Sequence, residues 1–236
     1  MKAHKHVSDR EAYRRFYIED THVRLRPARD FFRKWRGALG LLPKTFRALS
    51  RHPRYRRVEQ EILRRGFRRI LDVGCSHGMV ATLLGHRLGV NVTGVDLSPL
   101  KIAKAKALCW VDSVSFHEIL AEDLKLFSAP GSYDCILMLE ILEHVISVEE
   151  ILTAVTPLLA PGGLVLVTLP NDDEVHEPSS QHVREFDEDE TRRTFGHLPG
   201  FHYEVLPAVP GYAGGHYVQF ALSDASAATL TEAGNK

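Results

Sequence analysis

Between residues 68 and 96 the chain reads RRILDVGCSHGMVATLLGHRLGVNVTGVD, and this run restricts the fold more than any other. RILDVG is a short apolar strand, CSHG a turn, MVATLLGHRL a helix and NVTGVD a second strand. Two strands separated by a single helix cannot pair as a hairpin, so they must lie parallel with a crossover between them. The same alternation continues. SPLKIAKAKALC reads as a helix, VSFHEIL, YDCILML and GLVLVTLP as strands, and VEEILTAVTPLL as a helix before the last of these. HYEVLPAV and HYVQFALS close the pattern as a strand pair. The expected fold is α/β, a doubly wound and mostly parallel sheet with helices on both faces.

The first crossover also carries chemistry. Gly74 and Gly78 flank the turn, with Asp72 two residues before the first of them. A glycine-bearing turn between a first strand and its helix lets backbone approach a ligand closely. Eighteen residues after Gly78, Asp96 ends the second strand, where a carboxylate can accept both hydroxyls of a ribose. A dinucleotide site needs a further glycine to seat a pyrophosphate at the helix N-terminus. Cys75, Ser76 and His77 stand there instead, so the expected ligand is a nucleoside without a pyrophosphate. His77 reads as a tolerated turn residue.

Four motifs follow in order over about residues 69–171: ILDVGCSHG, VTGVDLSP, YDCILMLEILEHV and LLAPGGLVLVTLPN. Together they resemble class I S-adenosylmethionine-dependent methyltransferases, whose sheet has seven strands in a Rossmann-like arrangement. The resemblance implies S-adenosyl-L-methionine as cofactor and transfer of its methyl group as the activity. It implies that Asp72, Gly74, Cys75, Ser76 and Gly78 face the methionine half, that Asp96 holds the ribose and that Leu97 covers the adenine. Leu139, ending the fourth strand, is a further expected cofactor contact. Where the family often has an acidic residue near the end of the third strand, this chain has Leu120, and Glu122 and Asp123 just beyond become the candidates for the adenine amino group.

LMLEILEHV presents Glu140, Glu143 and His144 as the chain leaves the fourth strand. E-x-x-E-H at this place resembles the ubiquinone-pathway O-methyltransferases and the small-RNA 2′-O-methyltransferases. That resemblance implies a divalent ion on Glu140, Glu143 and His144, completed by His182 from QHVREFDEDE. Carboxylate oxygens with imidazole nitrogens suit Mg²⁺, Mn²⁺ or Zn²⁺, and Mn²⁺ accepts mixed donors better than Mg²⁺. An ion there would acidify an acceptor hydroxyl. Without one, His144 is the expected general base, with Glu143 beside it. Both readings stay open from sequence.

Domain organisation follows from composition. Residues 1–69 hold 21 Lys and Arg against 7 Asp and Glu, leaving 9 against 23 in the remainder, although the whole chain is neutral. Residues 1–66 are read as a basic helical N-terminal extension or lid, 67–223 as the cofactor-binding domain and 224–236 as a disordered tail. Phe31, Trp35, Leu39, Leu42, Phe46 and Leu49 form a helical stripe in the extension, and Pro43 is expected to start a helix. The extension could grip phosphates of a nucleic acid, lie on a membrane surface or fold onto the acidic body. Arg54, Arg56 and Arg57 could reach the methionine carboxylate or sit on a solvated helix face.

The preferred acceptor is a small hydroxylated molecule such as a sugar, a catechol-like ring or a natural product. RNA, methylated on a 2′-hydroxyl, is second, and a binding module without catalysis third. The pocket is expected at the C-terminal strand ends, with His176, His182, Phe186, Tyr212 and Tyr217 as lining candidates. Cys75, Cys109 and Cys135 form no C-x-x-C motif, the N-terminus lacks an apolar signal segment, and a cytoplasmic protein is expected.

Overall fold

A computed structural model describes residues 43–170, 182–210 and 214–222. The apolar stripe before Pro43, the tail after Ser223, His176 and Tyr212 lie outside the described residues. Two helices come first, α1 (Lys44–Leu49) and α2 (Pro53–Arg65), with Pro43 capping α1 as its position suggests. The alternating core then runs β1 (Arg69–Val73), α3 (Met79–Leu88), β2 (Asn91–Asp96), α4 (Pro99–Leu108), β3 (Val114–Glu118) and β4 (Tyr133–Leu139). It continues with α5 (Val148–Val155), β5 (Leu159–Pro170), α6 (Glu188–Phe195), β6 (His202–Leu206) and β7 (Gly215–Phe220). α4, α5 and α6 begin where side chains satisfy the first free N–H groups. Ser98 Oγ accepts from Lys101 N at 3.4 Å, Ser147 Oγ from Glu150 N at 3.2 Å, and Asp187 Oδ1 from Glu190 N at 2.6 Å.

The seven strands form one sheet in the order β3-β2-β1-β4-β5-β7-β6. β1 to β5 are parallel, and β7 pairs antiparallel with both β5 and β6. The sheet is therefore the doubly wound, mostly parallel one expected, with the closing strand pair supplying its antiparallel edge. Period-two alternation divides the core between the faces. Leu71, Val73, Ile136, Met138, Val165 and Val167 point to the side covered by α5 and α6. Ile70, Cys135, Leu137, Leu164 and Leu166 point to the side covered by α1, α2 and α3.

Phe46 of α1 and Tyr55, Val58 and Ile62 of α2 are buried in that second layer. The described end of the basic segment thus shares the sheet's own core. Its arginines meet the chain's own carboxylates: Arg57 reaches Glu204 at 2.7 Å and lies 4.2 Å over the Tyr217 ring, while Arg64 and Arg65 pair with the buried Glu61. The pair with Glu204 joins α2 to the acidic body, while those with Glu61 stay within α2 itself.

The strand order reverses its winding at β1, with α3 and β2 on one side and β4 on the other. Doubly wound sheets open a crevice at such a point, outside the carboxyl ends of the strands. The turns leaving β1, β2 and β4 converge there.

Candidate active site

Leaving β1, the chain reverses through three left-handed residues, Gly74 (φ 74°), Ser76 (φ 51°) and Gly78 (φ 67°). Gly74 and Cys75 both donate their N–H groups to Val95 O, at 2.8 and 2.9 Å. A Cβ on Gly74 would lie 2.3 Å from Cδ1 of Ile141, so the glycine turn packs directly on the turn that follows β4. At Gly78 a Cβ would lie 2.4 Å from the Phe116 ring. The two glycines thus serve packing as well as backbone conformation.

Asp96 ties this turn to β2. Its Oδ2 accepts from Ser76 N at 3.0 Å and its Oδ1 from Ser98 N at 2.9 Å, leaving further lone-pair capacity on each oxygen. Asp72 is buried behind it, and no hydrogen-bond partner meets its Oδ2 among the described residues. Burial, reinforced by the neighbouring Asp96 charge, pushes the Asp72 carboxyl up to about 7. His77 in the same turn is shifted down by burial and then by Lys101 and Lys104, which favours its neutral form.

A cavity of about 600 Å³ opens at the crevice, in the size range of small-molecule sites. Gly74, Ser76, Asp96 and Leu97 line it on one side, and Leu139, Glu140 and His144 on the other. Leu120 and Asp123 also line it, while the side chain of Glu122 is outside the described ones. Cys75 is buried beneath the turn rather than exposed to the cavity. Lys101, Ile141 and Glu150 line the cavity as well, and the sequence reading passed over them. They belong to ordinary helix and turn patterns and carry no motif that would distinguish them.

Beyond Leu139 the chain does not start a long helix. Glu140 takes a left-handed φ of 55° and donates its N–H to Thr168 O at 3.0 Å, and Leu142–His144 forms one 3₁₀ turn. The segment after β5 returns to this turn, with Val183 N and Arg184 N donating to Glu143 O at 2.9 and 3.3 Å. His182 is thereby carried to His144, their ring centroids 5.0 Å apart and nearly edge to face. One donor atom each from Glu143, His144 and His182 lies within 4.8 Å of the others. A carboxylate and two imidazoles fit a transition ion such as Mn²⁺ or Zn²⁺.

Glu140 is not part of this group of three. Its Oε2 pairs with Arg54 Nη1 of α2, and its Oε1 is buried with no hydrogen-bond partner among the described residues. Arg54 therefore neither lies on a solvated face nor lines the cavity, in contrast to both expectations for it. Phe186 and Tyr217, expected to line the acceptor space, are core residues. Phe186 stacks with Phe195 in one layer, and Tyr217 is buried beneath Arg57 in the other. Both are fully buried because aromatic side chains near strand and helix ends fill the core before they serve a pocket.

A cavity at the switch point, bounded by a glycine turn and an acid ending the second strand, defines a nucleoside-binding domain of the doubly wound class. The model of the methyltransferase domain family matches residues 19–204, and the chain belongs to that family as an S-adenosylmethionine-dependent methyltransferase domain. Among curated relatives, a ubiquinone biosynthesis O-methyltransferase of Dechloromonas aromatica is 39% identical over 116 residues, 48% of this chain and 49% of the relative. The enzyme of the same name from Colwellia psychrerythraea is 38% identical over 104 residues, 43% of this chain and 42% of the relative. The matches thus span about half the length of each protein or less. Among solved structures, the complex between the Haloferax volcanii Trm112 methyltransferase activator and a methyltransferase contains a chain with TM-score 0.57 and 17% identity, the match covering 89% of this chain and 98% of that one. That likeness concerns the fold.

Proposed function

We propose that this domain methylates a hydroxyl of a small molecule, with a divalent ion held by Glu143, His144 and His182 at the acceptor end of the cavity. The observation that carries the reading is the convergence of those three donor atoms within 4.8 Å beside a cavity that His144 also lines. Similarity to ubiquinone biosynthesis O-methyltransferases over the matched half supports an oxygen acceptor. The three free cysteines suit a cytoplasmic location, which is part of the same proposal.

When bound, S-adenosylmethionine supplies an electrophilic methyl carbon and a divalent ion supplies a Lewis acid that lowers the pKa of a nearby hydroxyl. The chain's own residues do the rest. Asp96 receives the ribose hydroxyls while its two N–H donors hold it in place. Leu97 covers the adenine, and Gly74 and Ser76 border the methionine half. Glu143, His144 and His182 would hold the ion beside the acceptor oxygen, whose proton would pass to solvent. As the oxygen–methyl bond forms, the sulfur–methyl bond breaks and S-adenosylhomocysteine remains.

A second reading keeps the same acceptor and dispenses with the ion, leaving His144 as general base; its position on the cavity wall favours it. The two readings separate in a methyl-transfer screen with labelled cofactor across phenol, catechol and sugar acceptors. After chelation, turnover should vanish and return with Mn²⁺, and Glu143→Gln should block the return. Full turnover after chelation would overturn the ion and leave His144 as base. An RNA oligomer included as acceptor tests the nucleic-acid alternative, whose binding would weaken steeply with salt.

A further inference from the structure

The pairing of Glu140 with Arg54 gives the N-terminal helices a role at the site. Arg54 is held both at its backbone and along its stem. Its side chain is only 13% exposed. Its backbone N–H donates to His52 Nδ1 at 3.3 Å, fixing the first turn of α2. Gly215 of β7 leaves the space its stem occupies, since a Cβ there would lie 3.0 Å from Arg54 Cδ and 3.1 Å from Nε. Glu140 is anchored as well, through its left-handed backbone and its N–H bond to Thr168 O. The two charges therefore meet between fixed backbones.

This arrangement matters because Glu140 is the residue expected to join Glu143, His144 and His182, and it stands outside their donor group. For Glu140 to turn toward an ion it would leave a mostly buried guanidinium without its carboxylate. Glu140 is 38% exposed, so the cost falls on Arg54, whose charge would stay largely desolvated without its carboxylate. Arg54 Nε is already buried with no acceptor among the described residues, and loss of Glu140 would take the carboxylate from Nη1 as well.

We propose that Arg54 is a positioning residue that holds Glu140 out of the ion's donor set, so that the site binds its ion through three protein groups and its affinity is set partly from α2. The proposal rests on the reading of Glu143, His144 and His182 as an ion site. A three-donor site leaves coordination positions for two acceptor oxygens, and a fourth carboxylate would both fill one and tighten the ion. Glu140 and Arg54 then form a neutral pair at the wall of the acceptor space rather than a ligand.

The test is Mn²⁺ affinity of the full chain, read by loss of the free-ion electron paramagnetic resonance signal, with no turnover involved. Arg54→Met should tighten Mn²⁺ binding about tenfold or more, within the range over which outer contacts tune metal sites. Arg54→Lys, which keeps the charge, should stay near wild type. Glu140→Gln, which still accepts from Arg54, should change affinity less than about twofold, whereas His182→Ala should weaken it about tenfold or more. Arg54→Met combined with Glu140→Gln should lose the gain. If Glu140→Gln weakens binding as much as His182→Ala, Glu140 is a ligand and the proposal is overturned while the ion site stands. If Mn²⁺ does not bind, or His182→Ala has no effect, the ion site itself fails and takes the proposal with it. Should Arg54→Met not fold, the comparison of Glu140→Gln with His182→Ala still decides.

Discussion

Ser76 donates its backbone N–H to Asp96 Oδ2 at 3.0 Å, so one carboxylate both closes the glycine turn and faces the cavity at the switch point. Ser98 N binds the other oxygen at 2.9 Å, and the side chain is held from two elements before any ligand arrives. Such preorganisation lowers the ordering cost of binding.

Asp96→Ala should raise the dissociation constant for S-adenosylhomocysteine about 30- to 100-fold, the loss of about 2–3 kcal/mol expected for hydrogen bonds to a charged group. Asp96→Asn keeps one carbonyl oxygen and should fall between the two. Isothermal titration calorimetry measures both. Wild-type affinity in Asp96→Ala would remove this carboxylate from the cofactor site.

Gly74→Ala should destabilise the domain by about 2–4 kcal/mol, combining a left-handed backbone with overpacking against Ile141. The steric part is separable. Ile141→Ala in the Gly74→Ala background should recover some stability in urea melts, because the clashing Cδ1 is gone. No recovery would mean that the cost lies wholly in the backbone.

The doubly wound sheet was legible because its signals are local. RILDVG and NVTGVD are short apolar runs bounded by turn residues, and Ser98, Ser147 and Asp187 cap the helices that follow. His182 beside His144 was foreseen only through a family resemblance, since 38 residues of chain separate them and no periodicity links them. The Arg54–Glu140 pair was not legible at all. Its partners are 86 residues apart, one an arginine read as reaching the methionine carboxylate or lying on a solvated face and the other in a motif read as a ligand set. Only the docking of α2 against β7 brings them together. Phe186 and Tyr217 failed in the opposite way: each sits near residues of the site in sequence, yet its side chain turns into the core.

Asp72→Asn should stabilise the cofactor-free domain above neutral pH. The native carboxyl titrates near 7 against an unfolded value of 3.8, raised by burial and then by Asp96. The native state therefore binds more protons than the unfolded state between those values, and stability falls as pH rises from about 4 to 7. Replacing the acid removes that loss, so the variant's advantage should be absent below pH 4 and reach on the order of a few kcal/mol above pH 7. Thermal melts at pH 4 and pH 8 provide the comparison. An equal effect at both would show that ionisation of Asp72 is not its source.

Glu61 predicts the opposite dependence on the other side of the sheet. Burial opposes its ionisation, but Arg64 and Arg65 donate to it, with Arg57 adding a further bond, and together they hold the carboxyl down at about 2. A native value depressed from 4.5 contributes stability that is complete above pH 4.5 and is lost as pH falls toward 2. Glu61→Gln should therefore cost about 1–3 kcal/mol at pH 7, the worth of hydrogen bonds to a charged group, and progressively less as the buffer is acidified. The readout is urea unfolding of both proteins from pH 7 to pH 3. Because Glu61 pairs three arginines of its own helix, the variant should also bind heparin more tightly at low salt. Unchanged heparin affinity would mean that those arginines are no more available to a polyanion once Glu61 is neutral, and that the charge asymmetry of the chain is a matter of its own folding.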